Sequence, residues 1–414
     1  MSEVFHVYAS QGRVNYAELD LPASDYEMLD LMERLRLEPG QPPYVEVLKI
    51  REEYNYLDKC LPELPDIYQL NALARKLAGF TSVQEMAAFE GMAGKEMQKG
   101  SAPIELTRLI DFAHSTDCCV VAENATTDYQ LGKFLVDNDF IEEASGLPDS
   151  ALALLDYVKI GREHREQTGG VYTGFGYVER QSEIHCVSKD MDLQPRKPSY
   201  TVLLNTAALP LIGGGKQSEV IQLRLPAPQA QIQDALQRLG KQDWKDVAAS
   251  IQDCAIPWLN HKMYFDGETP QILELSQRLA DLDAQGQLTR YKAILAANNC
   301  DELSRAISLA STVDEHFFEP KASSPEDVAR EELAVVICEK DAETLVPHID
   351  LQGYGSALLE RDHAVITGYG LLERKGGEPV QRMRQQPGPG GMEMRTALSM
   401  SRRMAAGTSP RQAM

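Results

Sequence analysis

The feature that most constrains the fold of this chain is an internal repeat. Residues 154–180 align without a gap on residues 348–374, and nine of the 27 aligned positions are identical. Asp156 matches Asp350, and both segments end on Thr-Gly, an aromatic residue, Gly, two further residues and Glu-Arg. A repeat of this kind predicts two copies of one structural unit rather than a single continuous core.

The repeat continues toward the N-terminus once small gaps are allowed. LPASDYEMLDLMERL at 21–35 parallels LPAPQAQIQDALQRL at 225–239, which places Asp30 opposite Asp234. A chain of 414 residues is also long enough for two or three domains. We therefore predict a first unit at residues 1–190, a linker at 191–198, a second unit at 199–375 and a basic, disordered tail at 376–414.

Local patterns predict both strands and helices in each unit. A strand-like run opens each unit, EVFHVYAS in the first and SYTVLLNT in the second, and apolar residues with helical spacing fill 67–114 and 270–312. Ser24 stands three residues before Glu27, which is the pattern of a capping box at the start of a helix. Each unit then closes on a short strand, and the predicted fold class is α+β.

The glycine-rich stretch GGVYTGFGYVER at 169–180 has the look of a phosphate-binding loop. A dinucleotide-binding fingerprint, however, places its glycines between a strand and a helix, and a P-loop needs a following Gly-Lys-Ser or Gly-Lys-Thr. Here strand-like residues follow the glycines instead. We predict a tight turn between a helix and a strand, and no cofactor.

Cysteine and histidine spacing does not predict a metal site. The seven cysteines form no CxxC pair, and the eight histidines form no HxxxH or HExxH pattern. Cys118 and Cys119 are adjacent but have no further ligand two to four residues away. We predict reduced structural thiols and no metal.

The charge is strongly acidic and unevenly distributed. Residues 375–414 hold seven Lys or Arg and two Asp or Glu, a net charge of +5, which leaves −26 on residues 1–374 out of a total of −21. Such a body repels nucleic acid and attracts the cationic surfaces with which proteins hold DNA. A solvated acidic surface that only aids solubility is the alternative.

Acidic residues are concentrated in one run of each unit. The run at 117–149 has eight acidic residues and one base, and the run at 314–343 has ten acidic residues and three bases, so each has a net charge of −7. An ordinary surface helix would interleave Lys with its acidic residues at helical spacing. The candidate binding residues are Asp117, Glu123, Asp128, Asp137, Asp139, Glu142, Glu143 and Asp149 in the first unit, and Asp314, Glu315, Glu319, Glu326, Asp327, Glu331, Glu332 and Glu339 in the second.

The first unit resembles the ArdA-type antirestriction proteins. The resemblance rests on LPDSALALLDYVKIGREHREQTGGVYTGFGYV at 147–178, with IYQLNALARKLAGF, LIDFAHSTDCCVV and YQLGKFLVDN before it in the family's order. It covers nearly all of 1–180 and extends more faintly over 198–374. The second unit departs from the pattern, because Ser356 follows Gly355 and His363-Ala364 stand where the first unit has two glycines.

The resemblance implies an elongated chain of small α/β and helical subdomains that acts as a DNA mimic and not as an enzyme. Its acidic surface would occupy the DNA-binding groove of a type I restriction–modification enzyme. A regulatory or scaffold protein of a mobile element, which binds another basic DNA-handling partner, is the alternative function. The start of the chain lacks the features of a secretion signal, and no run of 18 apolar residues exists, so we expect a cytoplasmic protein.

ArdA-type proteins dimerise through their closing domain, which implies a contact between the closing segments of the two units. Two arrangements are open: a pseudo-dimer within one chain, or a homodimer of two chains. The residues expected at this contact are Asp156, Tyr157, Ile160, Gly161, Asp350, Tyr354 and Gly355.

Overall fold

The structure is a computed structural model, and it describes residues 3–37, 41–100, 102–208, 219–260, 263–264, 268–337 and 344–380. Within these ranges the chain combines helices with small antiparallel sheets, as the predicted α+β class requires. No helix of the described residues is long and apolar enough to cross a membrane. Most of the predicted tail, residues 381–414, lies outside the described residues.

The first half of the chain carries two small sheets separated by helices. Its strands are β1 Phe5–Gln11, β2 Asn15–Leu21, β3 Tyr44–Ile50, β4 Cys119–Glu123, β5 Val171–Tyr172 and β6 Gly176–Arg180. Its α-helices are α1 Asp25–Leu35, α2 Ile67–Ala78, α3 Val83–Gln98, α4 Leu106–Ala113, α5 Asp128–Asp137, α6 Asp149–Leu152 and α7 Tyr157–Thr168. The sheets have the orders β2-β1-β3 and β4-β6-β5, and every strand pair in them is antiparallel.

The second half follows a similar order of elements. Its strands are β7 Val202–Ala208, β8 Val220–Leu225, β9 Val247–Cys254, β10 Met263–Tyr264, β11 His316–Glu319, β12 Val365–Thr367 and β13 Gly370–Arg374. Its α-helices are α8 Gln229–Arg238, α9 Thr269–Ala284, α10 Leu288–Ala297, α11 Leu303–Ala310, α12 Pro325–Val336 and α13 Leu351–Arg361. The sheets have the orders β10-β9-β7-β8 and β11-β13-β12.

Each half has its own main hydrophobic core. In the first half, Phe5 and Val7 of β1 and Leu31 of α1 pack with the helices of 67–113, and the second half builds an equivalent core from its opening sheet and α9, α10 and α11. The alternating burial along β1 and β7 explains why both were visible as strand-like runs in the sequence. The helical middles predicted at 67–114 and 270–312 are confirmed.

The predicted start of α1 is also confirmed. The Ser24 side chain accepts a hydrogen bond from the Glu27 amide, and the Glu27 side chain accepts one from the Ser24 amide. These two bonds satisfy backbone donors that have no partner within the helix. The helix that follows buries residues on several of its faces, including Tyr26, Asp30 and Leu31.

The predicted turn between a helix and a strand is confirmed at Gly169, which has a φ of +64° and lies between α7 and β5. The same stretch also forms a second turn, between two strands, that the sequence did not predict. The turn joins β5 to β6, and Gly176 has a φ of +156°, while Gly370 has a φ of +146° in the equivalent turn between β12 and β13. A side chain on Gly176 would overlap the carbonyl oxygen of Ala122 on the neighbouring strand. Glycine is therefore required both by the backbone angle and by the close approach. The sequence did not distinguish this hairpin because β5 is only two residues long.

Candidate functional site

The acidic run of the first half spans β4, α5 and the loops that follow each of them. Glu123 ends β4, Asp139 follows α5, and Glu142 and Glu143 lie in the next loop. All four side chains are exposed, and none of them has an ion-pair partner among the residues that the structure describes. They are therefore available to a partner that offers positive charge.

Asp137 and Asp139 lie at an unfavourable end of their helix. The C-terminus of a helix has a partial negative charge, so a carboxylate there opposes the helix dipole. Asp139 also has a positive φ of 58°, a conformation that few non-glycine residues adopt. Asp137 forms only an exposed ion pair with Lys133, at 3.3 Å. Local stability therefore gives no reason for this placement of acidic residues.

Asp128 does not belong to the exposed acidic surface, which corrects the sequence prediction. Its carboxylate accepts hydrogen bonds from Arg165, at 2.9 Å, and from the Tyr172 hydroxyl, at 2.7 Å, and lies 3.8 Å from Arg162. The hydrogen bond from Arg165 contributes most to lowering the pKa of Asp128 below its ordinary value. The sequence window 117–149 missed this neutralisation because the arginines belong to α7, which packs against α5.

Asp117 is exposed but has a partner. Its carboxylate lies 3.1 Å from the Nε2 atom of His185, and this hydrogen bond lowers the pKa of Asp117. The sulfur of Cys118 lies 3.5 Å from the same Nε2 atom. Sequence reasoning missed this cluster because 67 residues separate Cys118 from His185.

The acidic run of the second half contains carboxylates with and without ion-pair partners among the described residues. Asp314 and Glu331 are exposed, Glu319 and Glu326 are partly exposed, and none of these four forms an ion pair with another described residue. Two other predicted residues are paired. The Glu315 carboxylate lies 3.0 Å from Arg374, and the Glu332 carboxylate lies 3.8 Å from Arg361.

Two further predicted residues of these runs have a different status. Asp327 closes a capping box with Ser324 at the start of α12, so it has a structural role there. Glu339 lies outside the described residues, and the side chain of Asp149 is likewise outside them.

Neighbouring carboxylates in the second half repel one another. Partial burial raises the pKa of Glu331, and the charges of Glu319 and Asp327 raise it further. The side chains of these three residues are thus close enough for their charges to interact. We call Asp314, Glu319, Glu326 and Glu331 the second acidic patch, and Glu123, Asp139, Glu142 and Glu143 the first acidic patch.

The residues predicted at the contact between units have partners inside their own halves. In the first half, Asp156 caps α7, the Tyr157 ring packs on Tyr129, Ile160 lies beside the small core under the sheet, and Gly161 packs against the backbone of Asp128. In the second half, Asp350 caps α13, Tyr354 lies in that helix, and Gly355 packs against Pro325 of α12. Within one chain these residues therefore have contacts inside their own halves, and a contact between the closing segments of two chains stays a prediction.

The hydrogen bonds observed between described residues of the two halves all involve residues 24–36 instead. Asp30 and Glu33 of α1 accept hydrogen bonds from Lys292, at 2.8 and 2.9 Å, and Tyr369 donates a hydrogen bond to Asp30 at 3.0 Å. Arg36 donates to the carbonyl of Ala322 at 3.0 Å. Helix α1 therefore serves as the contact element for the second half.

Lys292 is an unusual residue in this contact because its side chain is only 3% exposed. Burial alone would lower the pKa of Lys292, but the carboxylates of Asp30 and Glu33 keep it above its ordinary value. A sequence signal did exist: one lysine interrupts the otherwise apolar run YKAILAA of α10. The sequence could not identify its partners, because Asp30 and Glu33 lie 262 and 259 positions away in the chain.

Comparison with known proteins adds no assignment. No family model matches the chain, and no curated protein matches it.

Proposed function

We propose that this protein is an antirestriction protein of the ArdA type, which binds a type I restriction–modification enzyme by imitating DNA and catalyses no reaction itself. The observation that carries the proposal is the pair of acidic patches. In both halves, exposed or partly exposed carboxylates that form no ion pair with another described residue lie on the segment that follows the fourth α-helix and includes the first strand of the closing sheet.

The similar order of elements in the two halves supports the proposed duplication. Both halves open with β-strands around a central first strand, continue with helices, and close with a three-stranded sheet of the same relative order. Both closing sheets contain the same turn, in which Thr173 or Thr367 donates a hydrogen bond at 2.9 Å to the carbonyl of the second glycine. We interpret the halves as two ArdA-like units joined by residues 191–198.

The electrostatics of the patches suit a protein that competes with DNA. A duplex carries one negative charge per about 1.7 Å of its axis, so the groove of a DNA-binding enzyme is lined with cations. The net charge of −26 on residues 1–374 would attract such a groove over several ångströms, and unpaired carboxylates would then replace phosphates. Partial burial contributes most to the raised pKa of Glu331, and the negative charges of Glu319 and Asp327 raise it further, which agrees with a local concentration of carboxylates.

Both halves should contribute to binding. Each acidic run holds some carboxylates that are paired: Arg165 bonds to Asp128 in the first half, and Arg374 and Arg361 pair with Glu315 and Glu332 in the second. The remaining carboxylates form one acidic patch in each half, and we expect both patches to contact the enzyme.

Exposed apolar side chains support a homodimer through the closing segments. Leu154 and Val158, at the start of α7, are 86% and 40% exposed, and Val335 and Val336 at the end of α12 are 86% and 69% exposed. Large apolar side chains at this level of exposure are common at interfaces, although single ones are ordinary. Gly161 and Gly355 pack within each half, so we propose that these outward faces contact a second chain.

An inhibition assay with charge-reversed variants tests the proposal. DNA cleavage by a purified type I restriction enzyme is measured with increasing amounts of the wild-type protein, which should abolish cleavage. The variant with Glu319→Lys, Glu326→Lys and Glu331→Lys should inhibit far more weakly, and so should the variant with Asp139→Lys, Glu142→Lys and Glu143→Lys.

A matched control separates the acidic patches from total charge. Asp234, Asp246 and Glu302 are exposed and lie outside both patches, so their replacement by Lys changes the net charge by the same amount. This control should inhibit as the wild type does. Equal loss in all three variants would show that only total charge matters, and a wild-type protein that leaves cleavage unchanged would reject the proposed target.

A further inference from the structure

Three side chains that could bind a metal ion converge beside the closing sheet of the first half. Asp117 and Cys118 lie in a short 3-10 helix, Thr116–Cys118, directly before β4. His185 lies in the segment that leaves β6 toward the linker. One carboxylate oxygen, the Cys118 sulfur and a ring nitrogen of His185 all lie within 4.8 Å of one another.

Backbone hydrogen bonds hold this arrangement in place. The amide of Gln181 donates to the carbonyl of Cys118 at 2.9 Å, and the amide of His185 donates to the Ser115 hydroxyl at 2.8 Å. The Ser115 hydroxyl in turn donates to the carbonyl of Asp111 at 2.7 Å. The loop bearing His185 is therefore fixed against the turn bearing Cys118.

The distances agree with a tetrahedral zinc site. The His185 Nε2 atom lies 3.5 Å from the Cys118 sulfur and 3.1 Å from the Asp117 Oδ2 atom, and the sulfur lies 4.0 Å from Oδ1 of the same carboxylate. With zinc–ligand distances of about 2.0–2.3 Å, tetrahedral ligand atoms lie roughly 3.3–3.6 Å apart. Small side-chain rotations would bring all three atoms to that spacing.

Hydrogen bonding alone explains the cluster less well. A single ring nitrogen can form one linear hydrogen bond, yet Nε2 of His185 faces both the sulfur and the carboxylate. A Cys–His–Asp catalytic relay would use the two different ring nitrogens for these partners. His6 shows the ordinary arrangement, since its Nδ1 atom faces Asp20 and its Nε2 atom faces Glu18.

The second half replaces this cluster with an ion pair. At the position equivalent to Cys118, the carbonyl of Glu315 accepts a hydrogen bond from the amide of Lys375, and the Glu315 carboxylate lies 3.0 Å from Arg374. A salt bridge thus fastens the end of β13 in the second half. The first half has Cys118 at the place of Glu315, while the arginine is kept as Arg180.

We propose that Asp117, Cys118 and His185 bind one Zn²⁺ ion, with a water molecule as the fourth ligand. The donor set of one sulfur, one nitrogen and one oxygen suits zinc. Binding converts the Cys118 thiol, which in the structure donates a hydrogen bond to the Glu183 carbonyl at 3.0 Å, to a thiolate, and its proton passes to solvent. The ion fastens residues 181–187, which lead toward the linker, to the turn that bears Asp117 and Cys118.

Metal analysis of the full chain tests this site. The protein is stripped with a chelator, incubated with Zn²⁺, desalted and analysed by mass spectrometry of the metal. We expect one zinc per chain. In metal sites, loss of a group that hydrogen-bonds to a metal ligand weakens metal binding by about 10- to 100-fold. Cys118→Ser and His185→Asn remove a ligand itself, so each should weaken zinc binding by at least about tenfold.

Two variants serve as controls. Cys186→Ser removes an exposed neighbouring thiol, and His6→Asn removes the histidine of the other carboxylate cluster. Both should retain one zinc per chain. Cys118 is buried, so a folding defect in Cys118→Ser is checked by circular dichroism, whereas His185 is half exposed and its replacement should leave the fold intact.

Cobalt substitution gives an independent readout. Co²⁺ bound at this site should show a thiolate-to-cobalt charge-transfer band that is absent in Cys118→Ser. Wild-type protein that retains almost no zinc would overturn the proposal. Equal zinc in the wild type and in His185→Asn would also overturn it, because the loss of this ligand should weaken zinc binding at least about tenfold. Because the metal content is measured without a restriction enzyme, its outcome is independent of the proposed antirestriction function.

Discussion

At the residue scale, the contact between the halves depends on one buried lysine and its partners. Lys292 is surrounded by Asp30, Glu33 and the ring of Tyr369, whose centroid lies 5.9 Å from the ammonium group. Such a group is stable only because its partners are also in place, since an unpaired buried charge is costly. Asp234, aligned with Asp30 in the repeat, is exposed in the structure, so sequence alignment alone could not reveal which aspartate is buried.

Replacement of Lys292 by Met should destabilise the protein strongly. The substitution leaves buried Asp30 and partly buried Glu33 without a positive partner, which should cost about 3–5 kcal/mol of unfolding free energy. Chemical denaturation followed by circular dichroism measures this change. Lys245→Met, at an exposed lysine of the same half, should stay within about 0.5 kcal/mol of the wild type. Equal stability of the two variants would contradict the contact described for α1.

At the scale of elements, close helix packing fixes the closing domains. Helices α5 and α7 approach so closely that a side chain on Gly161 would overlap the Asp128 carbonyl, and one on Gly355 would overlap the Pro325 carbonyl between α12 and α13. The repeat identified both glycines, but the sequence suggested a contact between units. The repeat shows that both units have a glycine at this position, but it cannot show which neighbouring helix packs against that glycine.

Two glycine-to-alanine substitutions should have opposite effects. Gly161→Ala should destabilise the closing domain by about 1–3 kcal/mol, because the added methyl group forces the helices apart. Gly94→Ala, in α3, meets no atom within 4 Å and should stabilise the protein by about 0.5–1 kcal/mol, since alanine favours helix. Thermal unfolding of both variants measures the contrast. A stabilised Gly161→Ala would show that the packing of α5 on α7 is looser than described.

The Asp128–Arg165 pair should make the closing domain sensitive to acid. The folded-state pKa of Asp128 is lowered, so its contribution to stability is present above the unfolded pKa and is lost as the pH falls through the folded value. Asp128→Asn should therefore be less stable than the wild type at neutral pH, and the difference should shrink in acid. Denaturation at a series of pH values measures it. A difference that grows as the pH falls would contradict the assignment.

At the scale of the whole molecule, the sequence predicted several helices and strands correctly but not the contacts between them. The opening strands β1 and β7, the capping box at Ser24 and the helical middles follow from local patterns in the sequence. The neutralisation of Asp128 and the meeting of Cys118 with His185 depend on elements that are distant in the chain. Local charge counts therefore predicted an acidic surface but included residues that the fold neutralises.

The proposed assembly predicts a homodimer in solution. Light scattering should give twice the chain mass of 46.0 kDa. Leu154→Asp should reduce this to the mass of one chain without unfolding the protein, because that side chain is 86% exposed. A wild-type particle of one chain mass at all concentrations would contradict the homodimer and would leave the inhibition assay unaffected.

The central claim is that this protein occupies the place of DNA, and competition binding tests it most directly. A labelled DNA duplex is bound to a type I restriction enzyme, and the protein is added at several salt concentrations. We predict that the protein displaces the duplex completely, and that its affinity falls steeply as salt rises because the contact is largely electrostatic. The triple variant of Glu319, Glu326 and Glu331 should displace the duplex poorly. Binding of the protein alongside the duplex, or an affinity that does not change with salt, would contradict DNA mimicry.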